Sequence, residues 1–114
     1  MKTSFPRAGV LAALWIPTDA SGRLRRAALT AHLAWLRDCG VHGVLALGST
    51  GEFPRFNVKE RMQILEAVAE AAAPLPVIAN ISDLRPAAVV ELGRFARRLG
   101  LPAVAMLPPY FFPL

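Results

Sequence analysis

Short apolar runs alternate along the chain with longer segments in which apolar side chains recur at helical spacing. The apolar runs are residues 10–16, 43–47, 77–81 and 103–107. Uninterrupted runs of this length, without polar alternation, are typical of parallel strands that are covered on both faces. The pattern therefore predicts four buried strands.

Three segments between these runs carry apolar side chains on one helical face, which predicts three helices. The first covers residues 25–39 and ends at Gly40, the second begins after Asn57, and the third ends at Gly100. Asn57 and Glu60 form an N-x-x-E pattern, in which each side chain can satisfy a free backbone amide of the other at a helix start. The predicted order of elements is β-α-β-α-β-α-β.

Two α/β architectures share this order of elements. The runs begin near residues 10, 43, 76 and 103, and eight units of that size make roughly 250 residues, the usual length of a (β/α)8 barrel. The chain is then the N-terminal half of a TIM barrel, with four parallel strands and three crossover helices. The alternative is a small doubly wound sheet. A sheet order of 1-2-3-4 favours the half-barrel, whereas an order such as 2-1-3-4 excludes it.

Composition indicates a globular chain, because 54% of the 114 residues are hydrophobic and 18% are charged. Thirteen Lys and Arg against eight Asp and Glu give a net charge of +5. The arginines are scattered along the helical segments without an aromatic-rich motif, so a basic solvated surface is favoured over a nucleic-acid partner. No apolar run approaches the ~20 residues of a membrane span. We therefore expect neither a nucleic-acid nor a membrane partner.

The few cysteines and histidines limit the chemistry further. Cys39 is the single cysteine, which excludes an internal disulfide and suits a reducing, cytoplasmic compartment. His32 and His42 have no second cysteine with which to form a zinc site, so no metal and no cofactor is predicted. Trp15 and Trp35 are expected to be packing residues.

The best candidate for a binding site is the segment that follows the second predicted strand. It contains Gly48, Ser49, Thr50 and Gly51. Ligands of parallel α/β folds bind beyond the carboxyl ends of the strands. The glycines allow positive φ and close approach of a ligand, and each hydroxyl residue offers an O–H and an N–H to a carboxylate or a phosphate. A plain βα turn is the alternative, and the segment taken alone favours it.

Other polar residues at the predicted strand ends have two interpretations each. Glu52 is either a general acid or a local partner of turn amides, and the second is favoured. Asn80, Ser82 and Asp83 either line a pocket or cap the third helix, and capping is favoured. Tyr110, with the two phenylalanines after it, forms either an aromatic wall that can carry a proton at the site or a hydrophobic chain end.

Four segments together carry a resemblance to a known family. They read ALWIPTDASGRL, GVHGVLALGSTGEFPRFNVKER, PLPVIANIS and AVAMLPPYFFP. In this order they resemble the N-terminal half of the dihydrodipicolinate synthase / N-acetylneuraminate lyase family. The resemblance implies that residues 1–114 are one partial TIM-barrel domain, covering strands one to four, with no second domain. It also implies a homo-oligomeric class I lyase or aldolase that binds pyruvate or another 2-oxo acid as a Schiff base on a lysine.

The resemblance further implies a set of substrate-binding residues. In the family, the hydroxyls and amides of the G-S/T-T-G-E segment hold the carboxylate of the 2-oxo acid. The implied set here is Gly48, Ser49, Thr50 and Gly51, joined by Tyr110. This agrees with the anion-binding interpretation of the same segment reached from its residue types.

The chain departs from the family pattern at the catalytic positions. The family's Schiff-base lysine lies in a G-x-K segment after strand six, and the lysines here are Lys2 and Lys59, which do not match it. No catalytic residue is therefore assigned, and the expectation is a chain truncated before the lysine and inactive alone. Phe111 replaces the second tyrosine of a P-Y-Y segment, and Ile16 replaces a threonine. These changes favour a sugar-acid aldolase or dehydratase over the synthase reaction.

Two further functions stay open on the sequence. One is a non-catalytic half-barrel that assembles with a partner half, and the other is a small doubly wound binding domain. A half-barrel leaves strands one and four as open edges, and open edges with apolar surface drive association. The sequence therefore predicts a homo-oligomer formed through these edges.

Overall fold

A computed structural model describes residue 5 and residues 8–110 of the chain. It contains four strands, three α-helices and one short 3-10 turn at Phe53–Arg55. The elements in chain order are β1 (Leu11–Ala13), α1 (Arg26–Asp38), β2 (Gly43–Ala46), α2 (Val58–Ala72), β3 (Val77–Asn80), α3 (Pro86–Arg98) and β4 (Ala103–Ala105).

The four strands form one parallel sheet in the order β1-β2-β3-β4. This order confirms the half-barrel architecture and excludes the doubly wound sheet. Crossovers of one hand between sequential parallel neighbours place all the helices on the same side of the sheet. Accordingly α1 packs on α2, and α2 packs on α3. The carboxyl ends of the strands meet at one edge, where the candidate site lies.

Burial separates the central strands from the outer ones. The strands β2 and β3 are almost entirely buried, whereas β1 and β4 alternate between half-buried and exposed positions. The expectation that all four strands are covered on both faces is therefore wrong for β1 and β4. The reason is that, among the described residues, each outer strand pairs with a neighbour on one side only.

The start of α2 follows the sequence pattern closely. The Glu60 amide donates to Asn57 Oδ1 at 2.8 Å, and the Asn57 amide donates to Glu60 Oε1 at 2.9 Å. Both halves of the predicted capping box are thus formed. Two of the amides that lack a partner inside the helix are satisfied locally.

The start of α3 differs from the prediction. Arg85, with extended backbone angles and no capping side chain, occupies the N-cap position. Asp83 Oδ1 accepts from the Arg85 amide at 2.8 Å, before the helix begins. The Ser82 hydroxyl instead donates to Asn80 Oδ1 at 2.6 Å. Helix capping was therefore the wrong interpretation for Ser82 and Asn80, whose side chains are turned to each other in the interior.

The core lies between the helices and the sheet, and both tryptophans lie outside it. Leu29 and Leu33 of α1 are fully buried, as the leucine spacing predicted. Trp15 is 49% exposed and Trp35 is 60% exposed, so they do not pack in the core. His32 lies between them, edge-on to Trp15 and stacked on Trp35. The two rings pack on a histidine at the surface instead of on the leucine face of the helix.

Candidate functional site

The loop after β2 has its left-handed residues at its two ends. Leu47 has φ of 60° and Glu52 has φ of 54°, so these residues, and not the glycines, take the conformation expected of glycine. Gly51 is needed for a different reason. A Cβ atom there would lie 3.1 Å from Leu47 Cα and 3.2 Å from Leu14 O, and both backbone atoms would have to shift to make room for it. Close packing therefore holds the loop against the end of β1.

Ser49 and Thr50 are presented to solvent by this loop. The Glu52 amide donates to Ser49 O at 3.0 Å and the Phe53 amide donates to Gly48 O at 3.4 Å, so the carbonyl groups are engaged. Across residues 8–110, the amides and hydroxyls of Ser49 and Thr50 have no protein partner. Two consecutive N–H groups and two O–H groups are thus available to an anionic ligand.

A cavity of about 180 Å³ opens beside this loop at the carboxyl edge of the sheet. Gly48 and Ser49 form part of its wall, whereas Thr50 and Gly51 do not. The remaining wall comes from the ends of β2, β3 and β4 and from the 3-10 turn, and it consists of Leu45, Phe53, Asn80, Ala105, Met106 and Leu107. The volume suits a molecule of a few heavy atoms, such as a short carboxylic acid.

Three buried polar side chains support the strand ends around the cavity. Asn80 Nδ2 donates to Leu47 O at 2.6 Å, and the Ser82 hydroxyl accepts from the Leu107 amide at 2.8 Å. Arg61, on α2, donates to Ser82 O at 2.8 Å and to Asn80 O at 2.9 Å. The bonds join the segments that follow three successive strands.

Arg61 is the functional feature that the sequence interpretation missed. It is 2% exposed, and its guanidinium lies over the Phe53 ring at 5.2 Å and 3.6 Å from Asp83 Oδ2. Burial lowers the pKa of this guanidinium, whereas the carboxylate of Asp83 opposes that shift. The signal was present, because Arg61, Leu65 and Val68 recur at i, i+4 and i+7 and place a cation in the apolar stripe of α2.

Tyr110 does not lie in the wall beside Ser49. Its ring packs edge-on against Phe53 at 5.6 Å, and it lines a second cavity, of about 380 Å³, together with Arg61, Asp83 and Arg85. Phe53 contributes to both cavities and stands between them. Partial burial raises the pKa of the Tyr110 phenol, and the negative charge of Asp83 adds to that shift.

Further candidates of the sequence analysis lie away from the first cavity. The Glu52 carboxylate is exposed and faces Arg55 at 3.4 Å instead of turn amides. Lys59 is exposed in the first turn of α2 and lines neither cavity. Lys2, Phe111 and the second phenylalanine after Tyr110 lie outside the described residues. No amine of the described residues therefore faces the Ser49 loop.

Two kinds of feature are absent from the part of the chain that the structure describes. No group of three or more His, Cys, Asp or Glu side chains is arranged to hold a metal ion. No helix in it has the length and apolar character that crossing a bilayer requires.

The sheet order and the loops at its carboxyl edge define an α/β chain built as the first four strands of a (β/α)8 barrel. A sequence profile of the dihydrodipicolinate synthetase family matches residues 6–114. The chain belongs to that family. The predicted resemblance is thereby confirmed.

Named relatives agree with this assignment. A protein named uncharacterized DapA-like lyase, from Chloroflexus aurantiacus, is 36% identical over 104 residues, 90% of this chain and 35% of that protein. A 4-hydroxy-tetrahydrodipicolinate synthase of Bartonella quintana is 32% identical over the same share of each chain. The 2-keto 3-deoxygluconate aldolase from Picrophilus torridus superposes with a TM-score of 0.90 at 30% identity, covering 96% of this chain and 39% of that one. The chain thus spans a little over a third of the length of these relatives.

Proposed function

We propose that these 114 residues form the carboxylate-binding part of a class I lyase or aldolase that acts on pyruvate or a related 2-oxo acid. The observation that carries the proposal is the pair of amides and the pair of hydroxyls that Ser49 and Thr50 leave without a partner among residues 8–110. Ser49 forms part of the wall of a cavity of about 180 Å³ at the carboxyl edge of the sheet, and Thr50 is the next residue of the same loop. Membership of a family of lyases and aldolases supports the choice of a 2-oxo acid as the anion.

The loop is suited to a carboxylate for a physical reason. Hydrogen bonds from N–H and O–H donors to an ionised oxygen are stronger than bonds between neutral groups. The cavity wall next to these donors is largely apolar, with Leu45, Met106 and Leu107 facing it. An acid with a short carbon chain can therefore place its carboxylate on the loop and its carbon atoms against the leucines and the methionine.

The proposal assigns binding, but no Schiff base, to this chain. By the family resemblance, the nucleophilic lysine belongs to a segment after strand six, and the two lysines here are Lys2 and Lys59. Lys59 is exposed on α2 and lines neither cavity near the carboxyl edge. A Schiff base needs an amine within reach of the ligand carbonyl. The 114 residues are thus proposed to be inactive alone.

We also propose that the chain associates through its outer strands, either with a second copy or with a complementary half-barrel. Large apolar side chains are exposed at both edges, with Leu11 and Trp15 near β1 and Val104 and Met106 near β4. Open parallel edges bordered by apolar surface favour association. In this second function the half-barrel serves as a subunit of a larger barrel, and the partner completes the binding site at the Ser49 loop.

A titration with pyruvate tests the first proposal. In amide-resolved ¹H–¹⁵N spectra of the 114-residue chain, pyruvate is expected to shift the signals of Ser49 and Thr50. The double variant Ser49→Ala, Thr50→Val removes both hydroxyls and keeps both amides. Hydrogen bonds to a charged group contribute about 1.5–3 kcal/mol each, so the dissociation constant of the double variant for pyruvate should be at least tenfold higher than that of the unaltered chain.

A matched variant and a trapping experiment complete the test. Thr30 is an exposed threonine of α1, and Thr30→Val should leave the titration unchanged. With borohydride present, no mass gain of one reduced pyruvate is expected. Spectral shifts confined to residues away from the Ser49 loop would contradict carboxylate binding by that loop. A stoichiometric adduct that Lys59→Ala abolishes would make Lys59 the nucleophile.

A further inference from the structure

A connected set of buried polar side chains lies beside the Ser49 loop, and the carboxylate-binding proposal does not use it. Its members are Arg61, Asn80 and Ser82, which are 2%, 5% and 0% exposed. Polar groups buried in this way lower stability unless their hydrogen bonds are made. We name these three residues the buried polar set.

The hydrogen bonds of Asn80 determine the orientation of its amide. Nδ2 donates to Leu47 O at 2.6 Å, and Oδ1 accepts from the Ser82 hydroxyl at 2.6 Å and from the Ser82 amide at 3.3 Å. A backbone carbonyl can only accept and a backbone amide can only donate. The flipped amide would therefore break the bonds to both groups, and a single orientation remains.

Leu47, the residue held by Asn80, has a conformation that leucine rarely adopts. Its φ is 60° and its side chain is fully buried. Non-glycine residues remain in this region only where the surroundings impose it. Leu47 directly precedes Gly48, so its backbone angles set the direction in which the amides of Ser49 and Thr50 point. The bond from Asn80 acts on the carbonyl of this residue.

The other two members connect Asn80 to the rest of the edge. The Ser82 hydroxyl accepts from the Leu107 amide at 2.8 Å, which commits its proton to Asn80 Oδ1. Arg61 donates to the carbonyl groups of Asn80 and Ser82 from α2. The side chain of Asn80 is thereby held between the loop after β2 and the segment after β4.

We propose that Asn80 is a positioning residue that holds Leu47 in its left-handed conformation and so aims the Ser49 and Thr50 amides at a ligand carboxylate. The inference rests on the proposed carboxylate-binding function. Asn80 acts through Leu47, because one N–H of its Nδ2 group donates to the Leu47 carbonyl at 2.6 Å. The role is distinct from that of the binding residues, because it concerns the geometry of the loop before any ligand arrives.

Two variants of the 114-residue chain remove the Asn80 donor. Asn80→Ala deletes the amide, and Asn80→Asp keeps the shape but sets an oxygen against Leu47 O. The first readout needs no ligand and is the hydrogen exchange of the Glu52 and Phe53 amides, which close the loop on Ser49 O and Gly48 O. Exchange should accelerate roughly tenfold, and the dissociation constant for pyruvate should rise by a similar factor, as expected for one lost buried hydrogen bond.

The matched control is Asn57→Ala, because Asn57 is the other asparagine of the chain and also makes a backbone hydrogen bond. It should destabilise α2 without changing exchange in the loop or affinity for pyruvate. If Asn80→Ala does not fold, the same two measurements are made on Ser82→Ala, which removes the hydroxyl that donates to Asn80 Oδ1 and accepts from the Leu107 amide.

The two readouts separate the inference from the function on which it rests. If pyruvate binds the unaltered chain and the Asn80 variants exchange no faster in the loop than Asn57→Ala does, the positioning role is overturned. If the unaltered chain binds no pyruvate but loop exchange accelerates in the Asn80 variants, the carboxylate function fails while the control of the loop by Asn80 is supported.

Discussion

At the scale of single residues, Tyr110 and Asp83 report on the second cavity directly. Tyr110 is the only tyrosine of the chain, so its phenolate absorbance can be followed without interference from another phenol. Burial, and next the negative charge of Asp83, raise the pKa of Tyr110 above its ordinary value of 10.0. Arg61 and Arg85 act in the opposite direction, and they do not reverse the shift.

We predict that Asp83→Asn lowers the pKa of Tyr110 towards 10.0, because it removes the charge that disfavours the phenolate. A spectrophotometric pH titration of the phenolate absorbance measures the pKa of Tyr110. Since the folded pKa is raised, the stability contributed by the neutral phenol is complete below pH 10.0 and is lost as the pH rises through the folded pKa. Asp38→Asn, at the end of α1, is the control. If the Tyr110 pKa in Asp83→Asn equals that in the control, the electrostatic effect assigned to Asp83 is contradicted.

Residue types identified part of the candidate site but could not supply its geometry. Ser49 and Thr50 were recognisable from their hydroxyls next to glycine at a strand end. The left-handed backbone of Leu47 was not, because leucine has no preference for that region and is held there by Asn80, distant in sequence. Tyr110 was grouped with the substrate-binding loop on the family pattern, and its ring packs on the opposite side of Phe53.

At the scale of secondary structure, α2 was the most predictable element because its start signal is local. Asn57 and Glu60 are three residues apart and satisfy each other's amides without help from the rest of the chain. The start of α3 was predicted less well. Ser82 had the residue type of a cap, but its hydroxyl is used by Asn80 and Leu107, which are brought to it by the sheet.

The capping box of α2 leads to a prediction about stability. Asn57→Ala should lower the free energy of unfolding by about 1 kcal/mol, the usual value of an N-cap side chain. Asn57→Asp, which keeps an acceptor oxygen, should lower it much less. Urea unfolding measures the difference, provided that the slope of the free energy of unfolding against urea concentration is the same in all variants.

Gln63 is an exposed residue of the same helix, and Gln63→Ala should change the free energy of unfolding by less than about 0.5 kcal/mol. If Asn57→Asp and Asn57→Ala lower the free energy of unfolding equally, the side-chain oxygen at position 57 contributes nothing to stability as a hydrogen-bond acceptor.

At the scale of the whole molecule, the outer strands distinguish this sheet from a closed barrel. The order β1-β2-β3-β4 leaves β1 and β4 with one paired side each among residues 8–110. Val104 is 47% exposed and Met106 is 62% exposed at the β4 side, and Leu11 is 42% exposed on β1. Burial of such side chains against a partner is favourable by roughly 25 cal/mol per Å² of apolar surface.

We therefore expect the chain to associate with itself at micromolar or higher concentration, as measured by light scattering over a dilution series. Val104→Lys places a charge on the open β4 edge and should shift the chain towards the monomer. Val90 is a comparably exposed valine of α3, at 51%, and Val90→Lys should leave the molar mass unchanged. A monomer at every concentration for the unaltered chain would contradict association through the edges.

The local patterns of the sequence determined the number, type and order of the elements. Apolar runs, helical spacing and an adjacent pair of capping residues act over a few positions, and they predicted four strands and three helices in alternation. The same patterns, combined with the four family-like segments, placed the Ser49 loop at a strand end. These features depend on neighbours in the chain and need no knowledge of distant contacts.

Only the tertiary structure decided the order of the strands, the exposure of β1 and β4, and the hydrogen bonds of the buried polar set. Strand order distinguishes a half-barrel from a doubly wound sheet, and residue spacing is the same in both. Arg61 lies on α2, Asn80 at the end of β3 and Leu47 in the loop after β2, and hydrogen bonds join them across the carboxyl edge. Their roles follow from burial, because a polar group that is removed from water lowers stability unless the fold brings a hydrogen-bond partner to it.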